Sequence, residues 1–139
     1  MIYMLDTSVC VEYFRRPGSP IHQWLHAANR KYVRLCAVIQ AELLVGIHKN
    51  PTEENRRKVL NFLAAFECWP FDGAAAEAYA AIRADLERKG KLIGPYDLQI
   101  AAVAMSRGAT LVTGNEDEFQ RVPGLACLPL KALAGKTPY

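Results

Sequence analysis

The feature that most constrains the fold is the alternation of short apolar runs with longer amphipathic segments. The short apolar runs have the character of buried strands, and the longer segments that of helices. Strands that are joined by helices run parallel, and the helices cover both faces of their sheet. The pattern therefore predicts an α/β fold. We expect a three-layer α/β/α sandwich around a mainly parallel sheet of about five strands. The runs with the length and composition of buried strands lie at 2–5, 33–38, 68–71, 109–113 and 125–128.

Helix signals fill the intervals between these runs. Ser19 and Pro20 form a typical helix start, and Gly90 and Gly108 stand where helices usually stop. A length of 139 residues fits one domain, predicted over 1–139. The predicted helices cover about 9–16, 20–29, 39–48, 52–66, 74–89 and 95–107.

Composition excludes several classes of protein. Seventeen basic and 14 acidic residues give a net charge of +3, too small to indicate a nucleic-acid binder by charge alone. The four cysteines form no CxxC pair, which argues against a zinc site and against a disulfide framework. No segment resembles a signal peptide or a membrane span, so we expect a cytoplasmic protein without a membrane partner.

Three acidic residues stand where burial would normally exclude them. Asp6 directly follows the first strand, at the carboxyl edge of the predicted sheet. Glu42 and Asp97 have apolar neighbours three and four residues away on their helices. Each also has an ordinary structural explanation, as a helix N-cap, a first-turn acid or the partner of a buried arginine.

A fourth group of acids follows the strand at 109–113. Thr113 and Asn115 lie at the end of that strand, and Glu118, beside the apolar Phe119, is the acid expected to turn inward. A site made only of carboxylate and water oxygens suits Mg²⁺ or Mn²⁺ better than zinc. Such ions support phosphodiester cleavage, so metal-dependent phosphoryl chemistry is the leading hypothesis from the residues alone.

Four segments taken together resemble the PIN-domain ribonucleases, and within them the VapC toxins of bacterial toxin–antitoxin pairs. They are MLDTS at 4–8, AELLVGI at 41–47, GPYDLQIAAVA at 94–104 and LVTGNEDEFQRVPGL at 111–125. The resemblance extends over essentially the whole chain in the same order. It implies a PIN-like α/β/α sandwich and Mg²⁺-dependent endonucleolytic cleavage of RNA, with Mn²⁺ as an alternative ion.

The same resemblance implies roles for individual residues. Asp6 and Asp97 would be the core metal ligands, and Glu42 would complete the acidic pocket, directly or through water. The fourth catalytic acid would be Glu118, although Asn115 stands where other relatives carry an acid. The residues expected to shape the pocket are Thr7, Ser8, Thr113 and Asn115.

The partners implied by the resemblance are RNA, a small VapB-type antitoxin and a second copy of the chain. The RNA would be tRNA, with initiator tRNA as one candidate, and its cleavage would inhibit translation. Lys91 and Tyr96, on either side of the Gly-Pro turn before Asp97, are candidate RNA contacts. The candidates for an apolar groove that receives the antitoxin are Tyr13, Phe14, Trp24 and Leu25.

Three other functions compete with this one. A phosphorylated receiver domain also uses acids at strand ends, with Asp72 and Lys131 as phosphoacceptor and partner, but it needs an acidic pair at the first strand, where Asp6 stands alone. The receiver hypothesis also leaves Glu42 and Asp97 unexplained. A phosphatase of the haloacid-dehalogenase type would need a second Asp two residues after Asp6, where the chain has Ser8. The third alternative is a PIN-like domain that binds RNA without cutting it, against which the presence of all three acids argues.

Overall fold

A computed structural model describes residues 1–136, and at its centre is a five-stranded sheet in which every neighbouring pair is parallel. The strand order is β3-β2-β1-β4-β5, so β1 is central. The predicted fold class is confirmed, while residues 137–139 of the predicted domain lie outside the described part. The strands are β1 (Tyr3–Leu5), β2 (Val33–Cys36), β3 (Glu67–Trp69), β4 (Thr110–Thr113) and β5 (Cys127–Pro129).

Helices flank the sheet, and each of the six predicted ones is present. The short helix α7 was not predicted, because its four residues are too few to show a helical period. Single turns of 3₁₀-helix lie at Arg30–Tyr32 and Leu130–Ala132. The helices are α1 (Thr7–Arg15), α2 (Pro20–Ala27), α3 (Ala37–Lys49), α4 (Glu53–Ala64), α5 (Gly73–Arg88), α6 (Pro95–Arg107) and α7 (Glu116–Phe119).

The ends of the elements follow capping chemistry. Asp72 accepts a hydrogen bond from the Ala75 amide and starts α5, and Gly108, with φ of 65°, ends α6. Three predicted strand boundaries differ from the structure by two residues. β3 ends at Trp69 rather than at position 71, just before Pro70, which has no amide hydrogen for a neighbouring strand. β2 ends at Cys36 rather than at position 38, because α3 begins at once. β5 starts two residues later than predicted, because the amide of Leu125 bonds the carbonyl of Val122 in a turn.

The sheet topology determines where a site can form. All three residues of β1 are buried, and α6 buries every residue from Ile100 to Ala104. The chain runs outward from β1 to β2 and β3, then returns to the other side of β1 for β4 and β5. The carboxyl ends of β1 and β4 therefore flank the crevice where parallel sheets bind ligands.

Within residues 1–136, no helix has both the length and the apolar composition needed to cross a bilayer.

Candidate active site

Asp6 follows β1 and is held by donors from two parts of the chain. Its side chain is only 3% exposed. One carboxylate oxygen, Oδ1, accepts from the Val9 amide at 3.1 Å and from the Ser8 hydroxyl at 2.5 Å. The other, Oδ2, accepts from the Thr113 hydroxyl. Burial raises the pKa of Asp6, and these hydrogen bonds oppose the rise. Asp6 is thus the N-cap of α1 and also joins two strand ends.

Thr113 and Ser8 complete this connection between β1 and β4. The Thr113 hydroxyl, fully buried, also accepts from the Asn115 amide at 2.8 Å. The Ser8 hydroxyl accepts from the Gly114 amide at 3.0 Å. A Cβ atom at Gly114 would lie 3.2 Å from that hydroxyl oxygen, so a larger residue there would need Ser8 to shift by a few tenths of an ångström.

Asp97 lies in the first turn of α6 and faces another acid. The side-chain amide of Asn115 donates to Asp97 Oδ2 and to Glu118 Oε2, each at 3.1 Å. Burial, a hydrogen bond with Glu118, and the charges of Glu118 and Asp6 raise the pKa of Asp97 to about 7. A cation at this position would relieve the repulsion that these carboxylates exert on one another.

Glu42 approaches the site from α3. It is half-buried, and its Oε1 accepts from the Thr7 hydroxyl at 2.9 Å, next to Asp6 in the chain. The predicted apolar surroundings are only partly present, because Ile39 is buried whereas Val45 is exposed. Glu42 therefore lies at the open side of the crevice. We call Asp6, Asp97, Glu118 and Glu42 the acidic edge.

Within residues 1–136, no basic side chain neutralises the acidic edge. Every ion pair in the described part of the chain joins an arginine or a lysine to an acid outside this group. Of the acids beside Glu118, Glu116 pairs with Lys131 at 2.5 Å and Asp117 is exposed. Pairing with a buried arginine therefore does not explain Asp6, Glu42 or Asp97.

The residues of the acidic edge fit a hard divalent cation. Their donors are all oxygens, and the amide of Asn115 already stands between the carboxylates of Asp97 and Glu118 as a weak substitute for a positive charge. Among residues 1–136, no three acidic, histidine or cysteine side chains form a ready-made metal cage. Mg²⁺ does not need one, since it commonly binds through one or two carboxylates and keeps several waters.

The phosphoryl-transfer alternative required Asp72 and Lys131 to act together. Asp72 instead caps α5 and accepts from Arg107 at 3.1 Å. Lys131 pairs with Glu116. Asp72 and Lys131 therefore have separate partners and do not form the phosphoacceptor pair that the receiver hypothesis requires.

A groove of about 620 Å³, here the Tyr96 groove, opens beside the acidic edge between α3 and α6. Thr7, Glu42 and Tyr96 line it, and Tyr96 is 62% exposed. Lys49 and Gln99 also line it and were not singled out in the sequence. Lys49 follows Glu42 by seven residues and Gln99 follows Tyr96 by three. These spacings place each pair on one face of its helix, and this was the only sign in the sequence that they share a groove. Lys91 is exposed on the loop between α5 and α6 and is not part of the lining.

A second groove, of about 470 Å³, lies among α1, α2 and α4 and is called the aromatic groove. Of the predicted residues, Tyr13, Phe14 and Leu25 line it. Trp24 does not, because it is 1% exposed and packs edge-on against Tyr3 in the core, with ring centroids 5.0 Å apart. The other side of this groove comes from α4, whose residues were not among those predicted to line it. The further lining residues include Phe62, Phe66, His22, His26, Arg30 and Lys58.

Comparison with known proteins gives consistent results. A family model described as PIN domain matches residues 3–125. Ribonuclease VapC2 of Rickettsia felis is 38% identical over 127 residues, covering 90% of this chain and 95% of the relative. The tRNA(fMet)-specific endonuclease VapC of Salmonella typhimurium is 36% identical over 124 residues, covering 88% and 93%.

Solved structures agree with the sequence relatives. The fold matches VapBC2 from Rickettsia felis, bound to a DNA fragment from its promoter, with a TM-score of 0.85 and 35% identity over 93% of this chain and 98% of the other. It matches DNA-bound VapBC from Salmonella typhimurium with a TM-score of 0.87 and 34% identity over 94% and 98%.

Proposed function

Since this chain belongs to the VapC ribonucleases of the PIN-domain family, we propose that it is a Mg²⁺-dependent endoribonuclease that cleaves tRNA and thereby inhibits translation. The proposal makes it the toxin of a toxin–antitoxin pair. A relative named tRNA(fMet)-specific endonuclease supports tRNA, with initiator tRNA as the first candidate. Mn²⁺ has the same ligand preferences and is the alternative ion.

The observation that carries this proposal is the arrangement of Asp97, Asn115 and Glu118. Two carboxylates meet across one amide group at the carboxyl edge of the sheet, beside the buried Asp6. No cation of the described chain neutralises them, and the pKa of Asp97 is raised to about 7. A structural ion pair would have the opposite effect on that pKa.

The roles of the residues follow from their surroundings. A bound Mg²⁺ would supply charge neutralisation at the scissile phosphate and polarise one of its oxygens. Asp6 and Asp97 would hold that ion, Glu42 would reach it directly or through water, and Glu118 would be the fourth acid of the pocket. The Thr7 hydroxyl holds Glu42, which is suited to orient the attacking water. Attack of that water on the phosphodiester would produce a 5′-phosphate and a 3′-hydroxyl.

Ser8, Thr113 and Asn115 act through other residues. The hydroxyls of Ser8 and Thr113 fix the carboxylate of Asp6, and the amide of Asn115 fixes Asp97 and Glu118. Their part in the proposed reaction is to keep the ligand oxygens in place before the substrate arrives.

A VapB-type antitoxin is the proposed protein partner, with the aromatic groove as its seat. The solved relatives are VapBC complexes, which supports such a partner. Among the described residues that line the groove, Tyr13, Phe14 and Phe62 supply aromatic surface, Arg30 and Lys58 are basic, and none is acidic. An amphipathic segment with acidic residues would complement it.

Two further parts of the proposal concern assembly and compartment. We propose a homodimer, which sedimentation velocity of the purified protein tests directly. We also propose that the protein works in the cytoplasm, because its proposed substrate, tRNA, is found there and its four cysteines are free thiols.

The experiment that tests the function is cleavage of a total tRNA pool by antitoxin-free protein. We expect discrete fragments with Mg²⁺, none with EDTA, and none with Asp97→Asn. Asp117→Asn is the matched control, because it removes the same charge from an exposed acid next to Glu118 in the chain.

Each result has a defined meaning. Identical fragments from the wild type and Asp97→Asn would indicate a contaminating nuclease and refute the proposal. Tight tRNA binding without cleavage under any divalent ion would favour the alternative of an RNA-binding domain without catalysis.

A further inference from the structure

We infer that the Tyr96 groove binds one unpaired nucleotide of the RNA, next to the bond cleaved at the acidic edge. This inference rests on the proposed ribonuclease function. The groove, at about 620 Å³, has a volume typical of pockets that hold a small organic ligand. Its position and its chemistry both favour a nucleotide as the occupant.

The position is fixed by two pairs of consecutive residues. Asp6 belongs to the acidic edge and Thr7 lines the groove. Asp97 belongs to the acidic edge and Tyr96 lines the groove. Glu42, bonded to Thr7, lies on the boundary between them. The groove therefore opens directly onto the acids, and a nucleotide bound in it would have its phosphate at the proposed ion site.

The walls of the groove suit a flat aromatic ring. The Tyr96 side chain is 62% exposed, and Val38 and Val45 provide the apolar surface on the α3 side. Stacking of a base on such a ring is favourable for every base, since each has a π-face. A base within a duplex is already covered on both faces, so only an unpaired base can use Tyr96.

Polar groups stand where the rest of a nucleotide would need them. The amide of Gln99, one turn after Tyr96 on α6, can both donate to a base edge and accept from it. Lys49 lies seven residues after Glu42, about 10 Å along α3, and among residues 1–136 no acidic side chain pairs with it. It is therefore available for the phosphate on the far side of the nucleotide.

The test measures binding of fluorescent octauridylate and octaadenylate by anisotropy, in the Asp97→Asn background with Mg²⁺ so that the RNA stays intact. We expect Tyr96→Ala to weaken binding of both oligomers by about 10- to 100-fold, the usual value of one stacked base. Tyr96→Phe should bind like the parent, because it keeps the ring. Phe71→Ala, which removes an exposed ring elsewhere on the surface, is the matched control and should change nothing.

An oligomer of the same length built from abasic nucleotides separates stacking from other effects. We expect the Asp97→Asn parent to bind the abasic oligomer as weakly as the Tyr96→Ala variant binds octauridylate. Adding Tyr96→Ala should not weaken binding of the abasic oligomer further. Equal weakening of abasic and base-containing oligomers by Tyr96→Ala would overturn the inference, because the ring would then act without a base.

The competing occupant of this face is a second copy of the chain. If Tyr96→Ala halves the mass seen by light scattering while weakening all oligomers alike, the groove is a subunit interface and the nucleotide site is refuted. Failure here is distinct from failure of the proposed function. A wild type that cuts tRNA, combined with unchanged binding by Tyr96→Ala, refutes only the subsite.

Discussion

Asp6 and Asp97 are the same residue type at the same edge of the sheet, but their surroundings are opposite. Asp6 is buried among donors, with two hydroxyls and one amide directed at its oxygens. Asp97 is half-buried and shares a single amide donor with Glu118. The comparison teaches that Asp6 is part of the framework, with hydrogen bonds that partly offset the cost of its burial, whereas Asp97 holds charge that the fold does not compensate.

The largest expected effect concerns the uncompensated half of the site. Glu118→Gln should lower the rate of tRNA cleavage by about 100-fold, because it removes one of the two carboxylates that face each other across Asn115. Asp117→Asn, at the exposed neighbouring position, should change the rate by less than about 2-fold. Equal rates for both variants would show that the fourth acid is not at position 118.

Changes around Asp6, whose oxygens have hydrogen-bond donors, should mainly alter the free energy of unfolding. Thr113→Val removes a buried hydroxyl and leaves Asp6 Oδ2 without its donor, so the free energy of unfolding should fall by about 2 kcal/mol. Thr110→Val, on the same strand but only half-buried, is the control and should cost less than about 0.5 kcal/mol. Urea unfolding followed by circular dichroism measures both, and equal losses would contradict the framework role of Asp6.

Mg²⁺ should stabilise the protein through the Asp97 half. At an ion concentration ten times the dissociation constant the gain is about 1.4 kcal/mol, or roughly 4 °C in melting temperature. We expect Asp97→Asn to abolish this shift and Asp117→Asn to keep it. A melting temperature that does not respond to Mg²⁺, at constant ionic strength, would contradict the proposed ion site.

A further expected effect is on the pH dependence of stability without divalent ions. Because the pKa of Asp97 rises from 3.8 to about 7 on folding, the folded chain holds a proton that the unfolded chain releases in this range. The free energy of unfolding should therefore fall as the pH rises from about 4 to 7. Asp97→Asn should flatten this decline in thermal melts from pH 4 to 8. An unchanged slope in that variant would assign the decline to other groups.

Those parts of the fold that depend on local pattern could be predicted from the sequence. The fully buried β1 and the apolar α6 are continuous in the chain, so their apolar runs identify them. The contact between Asn115 and Asp97 could not be predicted, since it depends on how β4 pairs with β1. Trp24 shows the same limit of sequence-based prediction. The sequence pattern around an aromatic residue on a helix is the same whether its ring lines a groove or packs in the core, as Trp24 does against Tyr3.

The Tyr96 groove and the α4 side of the aromatic groove were missed for a related reason. Both lie between helices that are distant in sequence, such as α3 and α6. Hydrophobic periodicity indicates that a helix has a buried face, but does not indicate which neighbour leaves a gap beside it.

The bond between Asp6 and Thr113 joins residues 107 positions apart. During synthesis on the ribosome, the first strand emerges long before its partner threonine is translated. The acidic edge also needs Glu118, so a growing chain contains no complete nuclease site until almost all of the sheet has been made. Incomplete translation products that end before β4 should therefore be harmless to the tRNA around them.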